Sequence, residues 1–375
     1  MKRILEMFGE PITYGGQESV VFNMLSSLNL NKDYNINLYT PYYADNEKLI
    51  GLVENNKGQV YHDDIEFKLN DNRFRLNSLV DSFFKTHNKY DVVHIHTGSL
   101  TTMYVYAKNA KKYGIKKVIV HSHTTGFKVS LAMRIRRFIL NILLKRYVDV
   151  YFACSEDAAN FKFGNYYSSK PIIVYNGIDI NIFKFNNAYR NEIRNKYNIG
   201  NKYLIGSLGR LSFEKNNFFL LDILNKIIKV NENVVLMIAG NGEYYESLQQ
   251  KCKELKLDNN VIFTGSVLDA YKYYSAFDIF LMPSFYEGMP VTAIEAQISG
   301  LQCLISDTVT RECNISDITT FISISNIKLW VDSIVKSMNE FNVNTVDKNR
   351  MNVNVDFNKF DRRSTFKIVE KVYND

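Results

Sequence analysis

Two doubly wound α/β domains are the architecture this sequence predicts, and three observations predict it. Short apolar runs of strand type alternate with stretches of helical period along the whole chain. The alternation occurs as two series, separated by a polar turn and a polar helical segment. Glycine-containing turns also follow the first strand of each series, at Gly15-Gly16 and at Gly209. A parallel sheet buried on both faces accounts for strands that are continuously apolar.

In the first series the expected strands run from Ile4 to Phe8, Ile36 to Tyr39, Val92 to His96, Val118 to His121 and Val150 to Ala153. Helical stretches lie between most of them, at Glu18 to Leu28, Leu100 to Lys112 and Ser130 to Tyr147. The turn Asn176-Gly177-Ile178-Asp179 closes the series, and a polar helix around Arg190 to Tyr197 follows it. The boundary is therefore placed near residue 180. In the second series, strands are expected at Tyr203 to Gly206, Val234 to Ile238, Val261 to Phe263, Ile279 to Met282 and Cys303 to Ile305. Helices are expected at Phe218 to Val230, Tyr244 to Leu255 and Val291 to Ser299. In such folds ligands sit beyond the carboxyl ends of the strands, here also in a cleft between the domains.

Composition narrows the class. The 375 residues carry 46 Lys+Arg against 39 Asp+Glu, a net charge of +7, and are 46% hydrophobic, which excludes wholesale disorder. Five Pro and 18 Gly exclude a collagenous chain. Glu6 falls where a signal peptide needs an apolar core, so no secretion signal is expected. The most apolar stretch, Phe138 to Leu144, is interrupted by Asn141 and is too short to cross a bilayer. The expectation is a soluble cytoplasmic protein. Cys154, Cys252, Cys303 and Cys313 form no CxxC pair, so neither disulfides nor a structural metal is expected. The small charge excess is spread along the chain and points to no nucleic-acid partner.

Four segments carry chemistry. Gly15-Gly16-Gln17-Glu18 opens a helix after the first strand; its glycines suit close backbone approach to an anion, or simply the dihedrals of a loop. His121-Ser122-His123-Thr124 follows another strand, and His123, beyond the strand end, is the functional candidate. His94 and His96 share one strand face and read as core histidines. These segments supply no carboxylate or cysteine for a metal. Arg210 and Lys215, after the first strand of the second series, pair a planar fork with a point charge beside a helix start. That suits a diphosphate, or else describes two solvated charges. Finally, Glu287 and Glu295 lie eight positions apart around Gly288, Met289 and Pro290, with Pro290 expected at the first helical position. Both carboxylates could accept hydrogen bonds from the hydroxyls of a sugar or ribose.

On these residues the chain resembles a retaining glycosyltransferase of family 4, a GT-B family with many capsule and exopolysaccharide enzymes. The matching residues include Gly15 to Glu18, Asp91 to His96, the His123-Thr124 pair, Ser155, Val174 to Asp179, Gly209-Arg210, Lys215-Asn216, Ala239 to Gly242, Phe263 to Gly265 and the EX7E signature Glu287 to Glu295. The resemblance implies a nucleotide-sugar donor, a UDP-sugar in type, and a glycan or polyprenyl-linked acceptor. It implies an acceptor domain over 1–180, completed by a crossing helix within 357–375, and a donor domain over 181–356. It further implies that Arg210 and Lys215 hold the diphosphate in place of a metal, so that no cofactor is needed. By the same likeness Glu295 holds the ribose, Glu287 the sugar, Ser266 and Val267 the base, with Gly288, Met289 and Pro290 lining the donor site. Gly15, Gly16 and His123 close it from the first domain. The catalytic set so implied is His123, Arg210, Lys215 and Glu287.

Two departures and two rivals remain. The basic, apolar segment 128–146 reads either as a core-packing helix with a charged outer face or as a membrane-surface element. The stretch 339–358 is Asn-rich and reads as a partly mobile segment. The rivals are an epimerase or phosphorylase on the same fold, and a non-catalytic sugar-nucleotide-binding protein.

Overall fold

The computed structural model describes residues 1–28, 30, 32–68, 72–123, 130–342 and 345–375, with the side chains of 347–349 excepted. Thr124, and the Lys128 and Val129 that begin the basic segment, lie outside the described residues. The chain divides into two units. Unit 1 comprises Met1–Ile178 with Lys359–Asp375, and unit 2 comprises Asp179–Asn358.

Unit 1 holds a seven-stranded sheet whose pairs are all parallel. Its strands are β1 Lys2–Phe8, β2 Tyr34–Thr40, β3 Val60–His62, β4 Val92–His96, β5 Lys117–Ser122, β6 Val150–Ala153 and β7 Ile172–Ile173. Their order is β3-β2-β1-β4-β5-β6-β7, so the winding reverses between β1 and β4. Because successive side chains alternate faces, the register sorts this sheet into two unlike surfaces. Leu5, Val93 and Val118 align on one face, as do Met7, Ile95, Val120 and Tyr151. They pack with Leu76, Val80 and Phe84 of the helix Leu76–Thr86 and with Tyr106 of Leu100–Lys112 in one apolar core. On the other face Glu6 aligns with His94, and Phe8 aligns with His96, His121 and Phe152. The last helix, Arg362–Asn374, reaches this second face through Tyr373.

Unit 2 repeats the winding with six parallel strands. They are β8 Tyr203–Leu208, β9 Val234–Ala239, β10 Val261–Gly265, β11 Ile279–Met282, β12 Cys303–Ser306 and β13 Thr319–Ile322, in the order β10-β9-β8-β11-β12-β13. Here the reversal falls between β8 and β11. Ile205, Leu236, Leu281 and Leu304 form the core with Leu220, Leu224 and Trp330. Gly240, just past β9, has φ +148°, and a Cβ there would lie 1.9 Å from the carbonyl oxygen of Gly209. Only glycine lets the ends of β8 and β9 approach that closely.

Three edge elements, β3, β7 and β13, were not legible as strands; they have three, two and four residues, and β13 begins Thr319-Thr320. The Asn-rich stretch, expected to be mobile only in part, includes one firmly held residue: Arg350, in the helix Val346–Met351, is buried and spends its guanidinium on backbone carbonyls. It donates to Ser299 O at 2.9 Å, Ser275 O at 3.1 Å, Phe277 O at 3.0 Å and Tyr274 O at 2.9 Å. These are the acceptors left open where the helices Ala270–Ala276 and Val291–Ile298 end, so one side chain satisfies two helix termini. Val343 and Asn344 of the same stretch lie outside the described residues.

One expectation, the core-packed reading of the basic segment, is corrected. Ser130 caps the helix Leu131–Leu144 by accepting from Met133 N. That helix is not core-packed on its apolar side. Only Leu140, Asn141 and Leu144 are buried, whereas Met133, Ile135, Phe138, Ile139 and Ile142 are exposed and Leu131 is 70% exposed. Arg134, Lys145 and Arg146 are exposed beside them.

Candidate active site

The carboxyl ends of β8 and β11, on either side of the winding reversal, bring the unit 2 candidates together. After β8 the chain passes Gly209 and the exposed Arg210, makes a 3-10 turn at Phe213–Lys215, and enters the helix Asn217–Ile227 through Asn216. Asn216 has φ 52° and ψ 41°, a left-handed conformation that asparagine tolerates. Its side chain donates to Pro283 O at 3.1 Å, and Phe285 N donates to Glu214 O at 2.8 Å. The two loops are therefore tied to each other by backbone and side chain. A small cavity here is bounded by Gly209, Lys215, Asn217, Met282, Pro283 and Ser284.

At its rim Lys215 Nζ lies 2.6 Å from Glu287 Oε1, and Ser284 Oγ donates to the same oxygen at 2.8 Å. Gly288 is half-buried, Met289 and Pro290 buried. Pro290 stands one position earlier than expected, as the cap of Val291–Ile298 rather than its first residue. Glu295 lies within that helix and accepts from Tyr274 Oη at 2.8 Å. Burial pushes its carboxyl up to about 8, against the lowering effect of the Tyr274 hydroxyl. Ser266, exposed, and Val267, half-buried, follow β10 at the same edge of the sheet. Arg210 has no ion-pair partner among the described residues.

Sequence reasoning missed two groups here. Asn217 Oδ1 and Thr292 Oγ1, in the first turns of the helices after the two loops, are buried polar atoms without partners among the described residues. Their position directly after the Lys215 and Pro290 segments was the available signal.

In unit 1, Gly15 caps the helix Gly16–Leu25 from an extended conformation, φ −133° and ψ 177°, without a side-chain bond. A Cβ on Gly16 would meet nothing within 4 Å. Among the described residues neither backbone strain nor packing thus calls for glycine at 16. His123 follows β5, and its Nε2 lies 2.9 Å from His96 Nδ1. His94 and His96 are fully buried, and His121 is buried beside them.

The histidine segments themselves carry no carboxylate, but the sheet brings one from outside them: Glu6 of β1 is fully buried with Oε2 2.7 Å from His96 Nε2. The sheet register brings it there from a strand 88 positions away from His94. Among the described residues, His94, His96 and His121 come nearest to a metal-binding set, with ligand atoms within 4.8 Å of one another. Both nitrogens of His96 are already engaged, however. No metal is assigned to them.

The chain matches two family models that together cover most of its length. Residues 14–182 match the model described as Glycosyltransferase Family 4, and residues 189–340 match Glycosyl transferases group 1. The chain is 28% identical over 346 residues to the putative glycosyltransferase EpsF of Bacillus subtilis, covering 90% of this chain and 88% of that one. It is 25% identical, over 70% of each chain, to an Escherichia coli UDP-Gal:alpha-D-GlcNAc-diphosphoundecaprenol alpha-1,3-galactosyltransferase. In three dimensions it resembles HepE from Anabaena, solved in complex with UDP-glucose, at TM-score 0.76 with 17% identity and full coverage of both chains.

Proposed function

We propose, for a chain that belongs to family 4 of the glycosyltransferases and has the GT-B fold, transfer of a hexose or N-acetylhexosamine from a UDP-sugar with retention at the anomeric carbon. The acceptor is a glycan or polyprenyl-linked saccharide of cell-surface polysaccharide synthesis. The observation that carries this reading is the Lys215–Glu287 pair at the β8 and β11 ends, which sets a cation and a hydroxyl acceptor side by side. The name of the E. coli galactosyltransferase, which includes a diphosphoundecaprenol-linked sugar, supports the acceptor class.

Each residue then has a physical task. Arg210 and Lys215 neutralise the departing diphosphate, doing electrostatically what a divalent metal does elsewhere. Glu287 accepts hydrogen bonds from the sugar, Glu295 from the ribose, and Ser266 and Val267 border the base. Gly15 and Gly16 allow close approach of unit 1 backbone to the donor, and His123 contacts the sugar. The helix Leu131–Leu144 meets the cytoplasmic face of an anionic membrane: its exposed apolar side chains enter the interface while Arg134, Lys145 and Arg146 face phosphates.

The test is a panel of nucleotide sugars scored first for thermal stabilisation and then for transfer to lipid-linked and soluble acceptors in EDTA. Stabilisation and transfer by one donor support the reading. Nucleotide binding without transfer or donor hydrolysis would favour a binding protein instead.

A further inference from the structure

The sheet face beneath the C-terminal helix carries a continuous line of hydrogen bonds ending at His123. Both oxygens of the buried Glu6 are engaged: Oε1 accepts from Tyr373 Oη at 2.7 Å, and Oε2 lies 2.7 Å from His96 Nε2. The other nitrogen of His96, Nδ1, lies 2.9 Å from His123 Nε2. His94 Nδ1 meets Tyr373 Oη at 2.6 Å and lies 3.3 Å from Glu6 Oε2, which steadies the tyrosine and the carboxylate together.

The protons along this line follow from the chemistry of its ends. An ionised carboxylate offers only acceptors, so His96 must direct Nε2–H at Glu6. A neutral imidazole has one such proton, which leaves His96 Nδ1 bare to accept from His123 Nε2–H. His123 Nδ1 is then bare as well, and that atom is buried with no partner among the described residues. Burial alone would raise the Glu6 carboxyl, but His94 and His96 overcome it and hold the group below its usual range. Burial, with His94 beside it, pushes His96 down to about 4. Burial, then His96 and His94, pushes His123 well below its usual value. An ionised Glu6 facing a neutral His96, with a neutral His123 beyond it, is the result.

We infer that Glu6 and His96 are positioning residues that lock His123 in its Nε2–H tautomer, so that Nδ1 accepts a hydrogen bond from a hydroxyl of the transferred sugar. The inference rests on the proposed placement of His123 beside the donor sugar. The opposite tautomer would point an N–H at that hydroxyl and remove the acceptor. A carboxylate that fixes a histidine tautomer through its far nitrogen is the arrangement of hydrolase triads, where amide replacement keeps the geometry and loses the rate. Here the carboxylate acts through one further imidazole.

Nitrogen-15 spectra of the wild-type protein read the tautomer directly. His123 should show a protonated Nε2 and a bare Nδ1; the reverse overturns the inference, whatever the enzyme does. Glu6→Gln presents an amide N–H to His96 and should reverse the line. We expect it to lower kcat on the order of 100-fold or more with UDP affinity unchanged. In a His123→Asn background, whose side-chain oxygen is an acceptor regardless of the relay, Glu6→Gln should cost no further activity. Transfer that survives His123→Ala would refute the site reading itself. Transfer sensitive to His123→Ala but not to Glu6→Gln in a folded protein would refute the relay alone. Should Glu6→Gln not fold, the wild-type spectrum decides. A stoichiometric divalent ion held by the imidazoles would also overturn it.

Discussion

Lys215 and Glu287, 72 positions apart, meet at 2.6 Å as a half-buried ion pair, with Ser284 donating to the same carboxylate oxygen. Each side chain sets the other's position, so neither acts on a donor independently. Partial burial also screens the pair less than a surface contact.

Removing the two partners should therefore have unlike effects on free nucleotide. Lys215→Ala deletes the cation that would face the diphosphate and leaves an uncompensated carboxylate behind. UDP affinity should fall at least about tenfold, the size of a charge-assisted bond. Glu287→Ala releases Lys215, so UDP affinity should hold or rise while transfer falls on the order of 100-fold. Calorimetric titration of both variants with UDP checks this. Equal losses would mean that the roles are misassigned.

If Arg210 and Lys215 supply the charge a metal would bring, transfer should persist in excess EDTA. Arg210→Ala should then lower the rate on the order of 100-fold, although its side chain is exposed and contributes little to stability. A rate that vanishes in EDTA and returns with a divalent ion would contradict the assignment.

Rising pH should weaken unit 2 through Glu295. Its folded pKa of about 8 is raised above 4.5, so its contribution to stability is fully present below about 4.5 and is lost as pH rises through 8. The melting temperature of the free protein should drop between pH 5 and 8. Glu295→Gln keeps an acceptor for Tyr274 and should flatten that drop. An identical slope in the variant would assign the effect elsewhere.

Acid should act on unit 1 in the opposite sense. His96, His121 and His123 all have folded pKa values below the ordinary 6.5, so their contribution is present above 6.5 and is lost as pH falls toward the folded values. His121 has no hydrogen-bond partner on either nitrogen among the described residues. His121→Phe should consequently raise the melting temperature at pH 5 relative to the wild type, and change it less at pH 8. A lower value at pH 5 would count against this account.

For the helix Leu131–Leu144, binding to vesicles containing anionic lipid should weaken steadily with salt. Arg136 donates to Thr101 Oγ1 and Arg137 stacks over Phe161, so replacing them would disturb the unit itself. Arg134, Lys145 and Arg146 are the informative choices: changing all three to Ser should reduce flotation with vesicles at an unchanged melting temperature. No flotation of the wild type at low salt would sink the membrane contact.

The central strands were legible because they are buried on both faces and read as unbroken apolar runs; β4, β6 and β11 begin and end where the sequence reading put them. Edge strands were not, since β3 and β13 need bury only part of their surface. The EX7E segment and Lys215 could be singled out because each follows a strand. The pairing of Lys215 with Glu287 could not, since it depends on how two loops from non-consecutive strands meet. Glu6 was the plainest miss: a lone acid in the first strand reads as a break in an apolar run until the register sets it opposite His94.

Tyr373 has a consequence for how the chain is made. Its hydroxyl reaches Glu6 across a separation of 367 positions, so the first strand receives its partner only after all of unit 2 has been synthesised. Unit 2 is one uninterrupted stretch, whereas unit 1 is interrupted by it. A ribosome therefore delivers every residue of unit 2 before the helix Arg362–Asn374 of unit 1, and Glu6 Oε1 must wait for its tyrosine through that interval. A chain cut just before Tyr373 would keep unit 2 whole while its first strand carried a buried carboxylate held by its histidines alone.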